Sequence, residues 1–327
     1  MSMGFDRCPA AVAALAVLAS IAGLTAQERQ APPPDVNLGV QRSLDAATRG
    51  GMPAFISARP VRFAISGSFM QTGNNGSGNV GDVSTRRAAY SVGALYMTTN
   101  MVITGFTVDR ELSNYSFDMA GQPDFRREFT DMSVTRASVY HRRTLNRSWS
   151  FFGAADVTSA AGENADRGNS LTGGGLISAR SQFTTNFAMV FGLLARTRLD
   201  DDLFIMVVPG VEWQVTERLS FRTAQGLTTS YRADSRRRWT ADLNLQYESR
   251  QYRLADDSTH AGGLAEDRRI PVILGVNYRP NPGIHVHAFA GLLAWQRLDL
   301  KDSDGLDEQS IYPDPTPLYG LSLAVRF

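Results

Sequence analysis

From Val61 to the terminal Phe327 the chain repeats with a period of two, and that period decides the fold class. Val61, Phe63, Ile65 and Phe69 alternate with Arg62, Ala64, Ser66 and Ser68. Trp149, Phe151, Gly153, Ala155 and Val157 alternate with Ser150, Phe152, Ala154 and Asp156. Trp239, Ala241, Leu243, Leu245 and Tyr247 alternate with Thr240, Asp242, Asn244, Gln246 and Glu248. Successive side chains of a strand point to opposite sides, so each segment has one apolar face and one mostly polar face. A soluble sandwich hides the apolar faces in a shared core; a membrane barrel turns them to lipid and lines its lumen with the polar ones. Segments of roughly ten residues match a tilted transmembrane strand. Aromatics at segment ends fit interfacial girdles, with Tyr96, Tyr140, Trp149, Phe187, Tyr247 and Tyr278 at one rim and Phe69, Tyr231, Trp239 and Trp295 at the other.

Turn lengths order the strands. Short turns fall at Thr98-Thr99-Asn100, Leu145-Asn146-Arg147, Thr184-Thr185-Asn186, Thr216-Glu217-Arg218 and Arg279–Gly283, with a weaker one at Glu248-Ser249-Arg250. Between them lie longer polar connections at Gly73–Val83, Ser113–Phe129, Ala160–Ser170, Ala255–Arg268 and Asp299–Thr316. Short periplasmic turns and longer external loops are the arrangement of a membrane barrel. The expectation is an all-β, antiparallel up-and-down transmembrane barrel of about fourteen strands over 61–327, or of twelve if Glu248-Ser249-Arg250 is no turn.

The N-terminus belongs to a different regime. A short head with Arg7 precedes the apolar run Ala10–Leu24, and Thr25-Ala26 leads into the polar Gln27–Gln30. The run falls short of the ~20 residues that cross a ~30 Å bilayer core. It reads as a secretory signal over 1–26. Residues 27–60, with the proline run Pro32-Pro33-Pro34, read as a periplasmic tether or partial plug. The single cysteine, Cys8, lies in the leader, so the exported chain would have no thiol.

The last strand carries the most specific motif. Tyr319, Leu321, Leu323, Val325 and Phe327 share one face, against Gly320, Ser322, Ala324 and Arg326. This strand resembles the terminal strand of bacterial outer-membrane barrels, whose final phenylalanine and alternating hydrophobics are recognised by the insertion machinery. The resemblance implies an outer-membrane location, with membrane lipids and that machinery as partners.

Chemistry beyond the barrel is sparse. A net charge of +1 gives no general reason to expect nucleic-acid binding. His285 and His287 share a strand face, but no third metal ligand is identifiable by spacing, so no metal or other cofactor is expected. Outer-membrane hydrolases place a serine two positions after a histidine; His141-Arg142-Arg143 and His260-Ala261-Gly262 do not, and no enzyme activity is expected. The acidic Asp200-Asp201-Asp202 reads as a solvated connection.

Charge on a lipid-facing barrel site costs ~2–4 kcal/mol near the midplane, so charged strand residues should face the lumen or sit at rims. The expected lumen-lining set is Arg62, Arg87, Arg180, Arg196, Arg198, Glu212, Arg222, Asp242 and Asn244, in which arginine predominates. Such a face suits a passive channel for small polar or anionic solutes. One stretch departs from alternation: Val190, Leu194, Phe204, Met206 and Val208 make the inner side of two neighbouring strands apolar. That wall resembles channels for hydrophobic compounds such as the fatty-acid transport family, which implies a transporter or binding barrel instead. A sealed structural or adhesive barrel is the third expectation, in which arginines pair with acids across a filled interior.

Overall fold

The computed structural model describes residues 61–74, 82–98, 102–118, 123–200, 203–223, 226–236, 238–258, 260–303 and 307–327. The expected leader (1–26) and tether (27–60) lie outside these residues. The described strands are β1 (Val61–Thr72), β2 (Asp82–Met97), β3 (Val102–Asp118), β4 (Asp131–Thr144), β5 (Trp149–Gly162), β6 (Leu171–Gln182), β7 (Phe187–Thr197) and β8 (Leu203–Gln214). They continue as β9 (Leu219–Arg222), β10 (Leu227–Arg232), β11 (Trp239–Leu245), β12 (Glu248–Arg253), β13 (Leu264–Asn281), β14 (Ile284–Lys301), β15 (Asp307–Ile311) and β16 (Thr316–Arg326). A short helix, α1 (Pro123–Glu128), links β3 and β4.

Each strand pairs antiparallel with its neighbours, and β1 closes the ring against β16, from Ala64 opposite Arg326 to Thr72 opposite Leu318. The result is a closed barrel of fourteen strands, in which β12 prolongs β11 and β15 lies on the far end of β14. The terminal strand is thus the closing strand. Closure removes the sheet edges that would otherwise present unpaired backbone to lipid. Alternation decides the two sides: Phe63, Ile65, Val92, Phe106, Val139, Phe151, Leu321 and Leu323 are exposed on the outer surface. Between them Thr85, Thr107, Ser138 and Thr158 are buried on the inner one. A closed β-barrel with an apolar outer surface and a polar inner one is the architecture that crosses an outer membrane.

Fourteen strands arise by a different route from the expected one. Glu248-Ser249-Arg250 is strand, not turn. Two other connections supply the missing hairpin: 223–226 joins β9 to β10, with Gly226 at φ +108°, and 233–238 joins β10 to β11. The Asp234 carboxylate accepts the Trp239 amide at 2.8 Å and sets the second turn. Moving that turn reverses the direction of the strand that begins at Trp239. Trp239 therefore sits opposite Tyr278, stacked at 4.3 Å, on the periplasmic rim, and Tyr247 stacks with Trp295 at 6.4 Å toward the other end. Tyr231, opposite Leu219 and Ala241, lies at the same periplasmic end, and the girdle assignments of Tyr231, Trp239 and Tyr247 are corrected accordingly. Tyr140 is corrected too: it is 5% exposed and lies on the inner face over Gly105, where a Cβ would fall 2.1 Å from its ring.

The external ends of β13 and β14, with β12 and β15, leave the cylinder. Two irregularities fall at one level: the break between β11 and β12 at Gln246-Tyr247, and a bulge where Ile270 and Pro271 of β13 face Trp295 and Leu293 of β14 and leave Ala294 unpaired. Bulges bend a strand and increase its twist, and proline removes a ladder donor. Beyond this line β12, the outer parts of β13 and β14, and β15 form a four-stranded sheet. Its direction is inward, because Arg253 on β12 pairs with Ala161 on β5, at the opposite side of the ring. The gap between this sheet and the β2–β5 wall is packed with side chains. Phe117, Phe125, Phe129 and Met132 from the wall side meet Tyr252, Ala265, Leu298 and Leu300 from the sheet, each no more than 5% exposed.

Candidate functional site: the inner face of the barrel

The inward sheet is tied to the wall by charge. On β2 and β3, Arg87, Glu111 and Tyr115 face the sheet; on the sheet, Glu248, Arg250, Asp267, Arg269 and Gln296 share one side because their register alternates with that of Ser249, Glu266 and Arg268. Arg87 approaches Glu111 at 3.2 Å and Asp267 at 3.3 Å. Arg250 lies 2.8 Å from both Glu111 and Glu248, and Arg269 lies 2.6 Å from Glu248. The Tyr115 hydroxyl donates to Asp267 at 2.7 Å, and the Gln296 amide donates to the other oxygen of that carboxylate at 2.9 Å. Three guanidinium groups meet three carboxylates, so the cluster is neutral while each member is largely withdrawn from water. Ions are tolerated in such a place only when paired and hydrogen-bonded.

The other side of the sheet holds a second network. Glu266 is 2.6 Å from Arg268 and 3.3 Å from Lys301, and accepts from Ser249 at 3.0 Å. Asp299 pairs with Arg297 at 2.6 Å. Arg198, at the end of β7, pairs with Asp200 at 2.9 Å and approaches Glu266 at 3.9 Å. Arg196 grips Asp156 with contacts of 2.7 and 2.8 Å, and Gly174 leaves the space for that guanidinium, since a Cβ there would fall 2.8 Å from its Nε. Among the residues expected to line the lumen, Arg87, Arg196 and Arg198 thus belong to the filled, charge-balanced external half.

The periplasmic half is different. Arg62, Arg142, Arg180, Arg222, Arg232 and Arg326 lie on the inner parity of their strands, half-buried, against the carboxylates of Glu212 and Asp242. Arg180 pairs with Glu212 at 2.7 Å, with the two side chains 28% and 35% exposed. Arg142 lies within electrostatic range of both, and Arg326 within range of Arg62. Asp242 is enclosed: Asn244 and Asn277 both donate to it, and the His287 ring crosses above Gly275 to reach within 3.5 Å. His285 meets Asn277 at 2.8 Å. No group of three or more metal-ligating side chains occurs among the described residues.

The apolar stretch also lies on the inner parity. Leu194 stands opposite Met206, Gly192 opposite Val208, and Leu194 and Val208 are 3% and 6% exposed. Sequence parity reached the arginines but missed Glu111, Tyr115, Glu248, Arg250, Asp267 and Arg269. The available signal was the density of acids and arginines in Glu248–Arg269, in a stretch otherwise read as a turn and a loop.

No protein-family model and no curated protein matches this sequence. Among solved structures, an outer-membrane channel from Pseudomonas putida F1 is 11% identical, with 84% of this chain and 99% of that chain covered and a TM-score of 0.43. The P. putida toluene transporter TodX is 8% identical, with 86% and 92% covered and a TM-score of 0.43. The KdgM porin in complex with disordered oligogalacturonate is 11% identical, with 80% and 99% covered and a TM-score of 0.34. At these identities the likeness is one of β-barrel fold alone.

Proposed function

We propose that this barrel is a passive, non-enzymatic channel for small polar or anionic solutes, shut at its external end by the inward sheet. The observation that carries this reading is the arginine excess on the inner face of the periplasmic half. A cation-lined, partly desolvated passage concentrates anions and excludes cations. Arg62, Arg142, Arg180 and Arg222 set the charge preference, and the neutral ion cluster around Arg87 holds the sheet as a gate. Arg196 and Arg198 contribute to the same closure by bracing the wall behind it. Asp242 and Asn244 shape the polar wall opposite. The expected result in a planar bilayer under a salt gradient is intermittent conductance with an anion-selective reversal potential. Changing Arg62, Arg142 and Arg180 together to Gln should move that potential toward the cation side without altering barrel folding. A refolded protein that never conducts, even after removal of residues 27–60, would contradict the reading.

The apolar inner wall of β7 and β8 favours a second reading, a binding or transport barrel for hydrophobic molecules. A fluorescent fatty acid should then bind, and Phe204→Gln with Val208→Asn should weaken its binding; unchanged affinity counts against this reading.

A further inference from the structure

Arg110, in the middle of β3, breaks the rule that separates the two surfaces of the wall. Thr107, Ser113 and Tyr115 on that strand are buried on the inner side, so Arg110 has the opposite parity and lies on the outer surface. It stands between Val108 and Leu112, which are 40% and 44% exposed there, and opposite Tyr90 of β2, which is 52% exposed. A charge among side chains that meet hydrocarbon is unfavourable, most of all near the midplane. Its level on the strand makes it tolerable. Beyond Leu112 the outward residues of β3 turn polar, with Asn114, Ser116 and Asp118. Arg110 therefore lies one outward position inside the external border of the apolar band. From such a site the long stem of an arginine stays among apolar neighbours while its guanidinium reaches the headgroup level.

A second arginine waits at that level. Arg86 of β2 is exposed on the outer surface, opposite Asn114, and it follows Ala88, which is opposite Leu112. Arg86 thus begins the polar part of the outer face on its strand, as Asn114 does on β3. Among the described residues, neither the Arg86 nor the Arg110 side chain makes a hydrogen bond or an ion pair. The acids of this face are placed elsewhere. Asp131, opposite Asn114, accepts from its side-chain amide at 2.7 Å, and Asp82 and Asp118 face one another four residues further out. Cations at the edge of a low-dielectric layer call for an anion, and the anion that a membrane holds at that depth is the phosphate of a lipid headgroup.

We propose that Arg86 and Arg110 form a binding site on the outer wall for a phosphorylated lipid of the external leaflet. The forked guanidinium donates to phosphate through two parallel N–H groups, and two such forks on adjacent strands take one headgroup between them. Ala88, Leu112 and Val108, directly below, give the acyl chains an apolar surface to lie on. A lipid fits better than an acidic protein partner, because Arg110 starts inside the apolar band, where the side chains of a soluble protein do not reach.

The test is native mass measurement of the full chain in a neutral maltoside detergent, titrated with lipid A that carries both phosphates or with the same lipid after their removal. The parent should bind the phosphorylated form about tenfold more tightly. Arg86→Gln with Arg110→Gln should abolish that preference, and Arg86→Gln alone, beyond the apolar band, should lose part of it. Arg143→Gln, an exposed arginine at the periplasmic end of β4, should keep it. Heat-sensitive gel mobility confirms that each variant is folded, and losing an outward charge does not threaten the barrel. The site is overturned by equal binding of the two lipids to the parent, by an undiminished preference in the double variant, or by an equal loss in Arg143→Gln. Displacement of the lipid by an excess of inorganic phosphate would overturn it too, since the site would then serve a free anion.

Discussion

An Arg87→Met protein should open more often and unfold more easily than the parent. Arg87 ties the wall to the sheet: it contacts Glu111 and Ser113 on β3, at 3.2 and 2.8 Å, and Asp267 on β13, at 3.3 Å. Removing its charge takes away the guanidinium that pairs with Asp267, in a site where that carboxylate cannot be solvated as well as in water, while Glu111 keeps Arg250 at 2.8 Å. Breaking a buried pair in this way costs about 3–5 kcal/mol. Part of that cost is relieved if the sheet swings out and hydrates its carboxylates, so conductance should rise several-fold while the denaturation midpoint falls. Adding Asp267→Asn to Arg87→Met leaves Arg250 and Arg269 facing Glu111 and Glu248, a neutral set, and should restore part of the stability while leaving the channel open. A permanently sealed barrel, the third expectation from the sequence, makes the same ion pairs but predicts lost stability with no gain in conductance.

The second large effect separates the two sides of the wall. Val92 points outward from β2, opposite Ile65 and Val108, and is 53% exposed. Val92→Arg puts a guanidinium toward lipid near mid-strand, which costs about 2–4 kcal/mol. Its neighbour Ser91 points inward and stands opposite Asp109. Ser91→Arg should therefore fold as well as the parent, with an acid beside the new charge. Folding yield into vesicles, read from the heat-sensitive gel mobility of the intact barrel, should drop sharply for the first and stay level for the second. Equal yields would mean that the apolar side does not face lipid.

Why part of this fold is legible in the sequence follows from what each strand touches. A strand between lipid and lumen meets two different solvents, so Val61–Met70 or Trp149–Thr158 writes its orientation into the sequence with a period of two. Closure by the terminal strand was legible for the same reason. The signal fails in Glu248–Arg253 and Leu264–Arg269, because both faces of that sheet lie inside the lumen among charges. Ser249, Gln251 and Arg253 look no different in polarity from Glu248 and Arg250, and a strand with two polar faces reads as a turn or a loop. The same blindness hid the cluster around Arg87. Parity can place an arginine on the inner face, but it cannot say which distant strand returns across the lumen to meet it. The short β9 and β10 were lost for another reason: four to six residues are too few to establish a period.

The central claim, that solutes pass through a lumen gated by the inward sheet, is tested most directly by pinning the sheet in place. Arg253 on β12 and Ala161 on β5 are paired across the lumen, and Cys8, the single cysteine of the sequence, is changed to serine so that no other thiol competes. A protein carrying Arg253→Cys and Ala161→Cys is recorded in a planar bilayer, first oxidised and then after reduction in the same membrane. The account predicts silence while the disulfide holds and conductance that appears within the recording once it is reduced. Equal conductance in both states would show that solutes do not pass by displacement of this sheet.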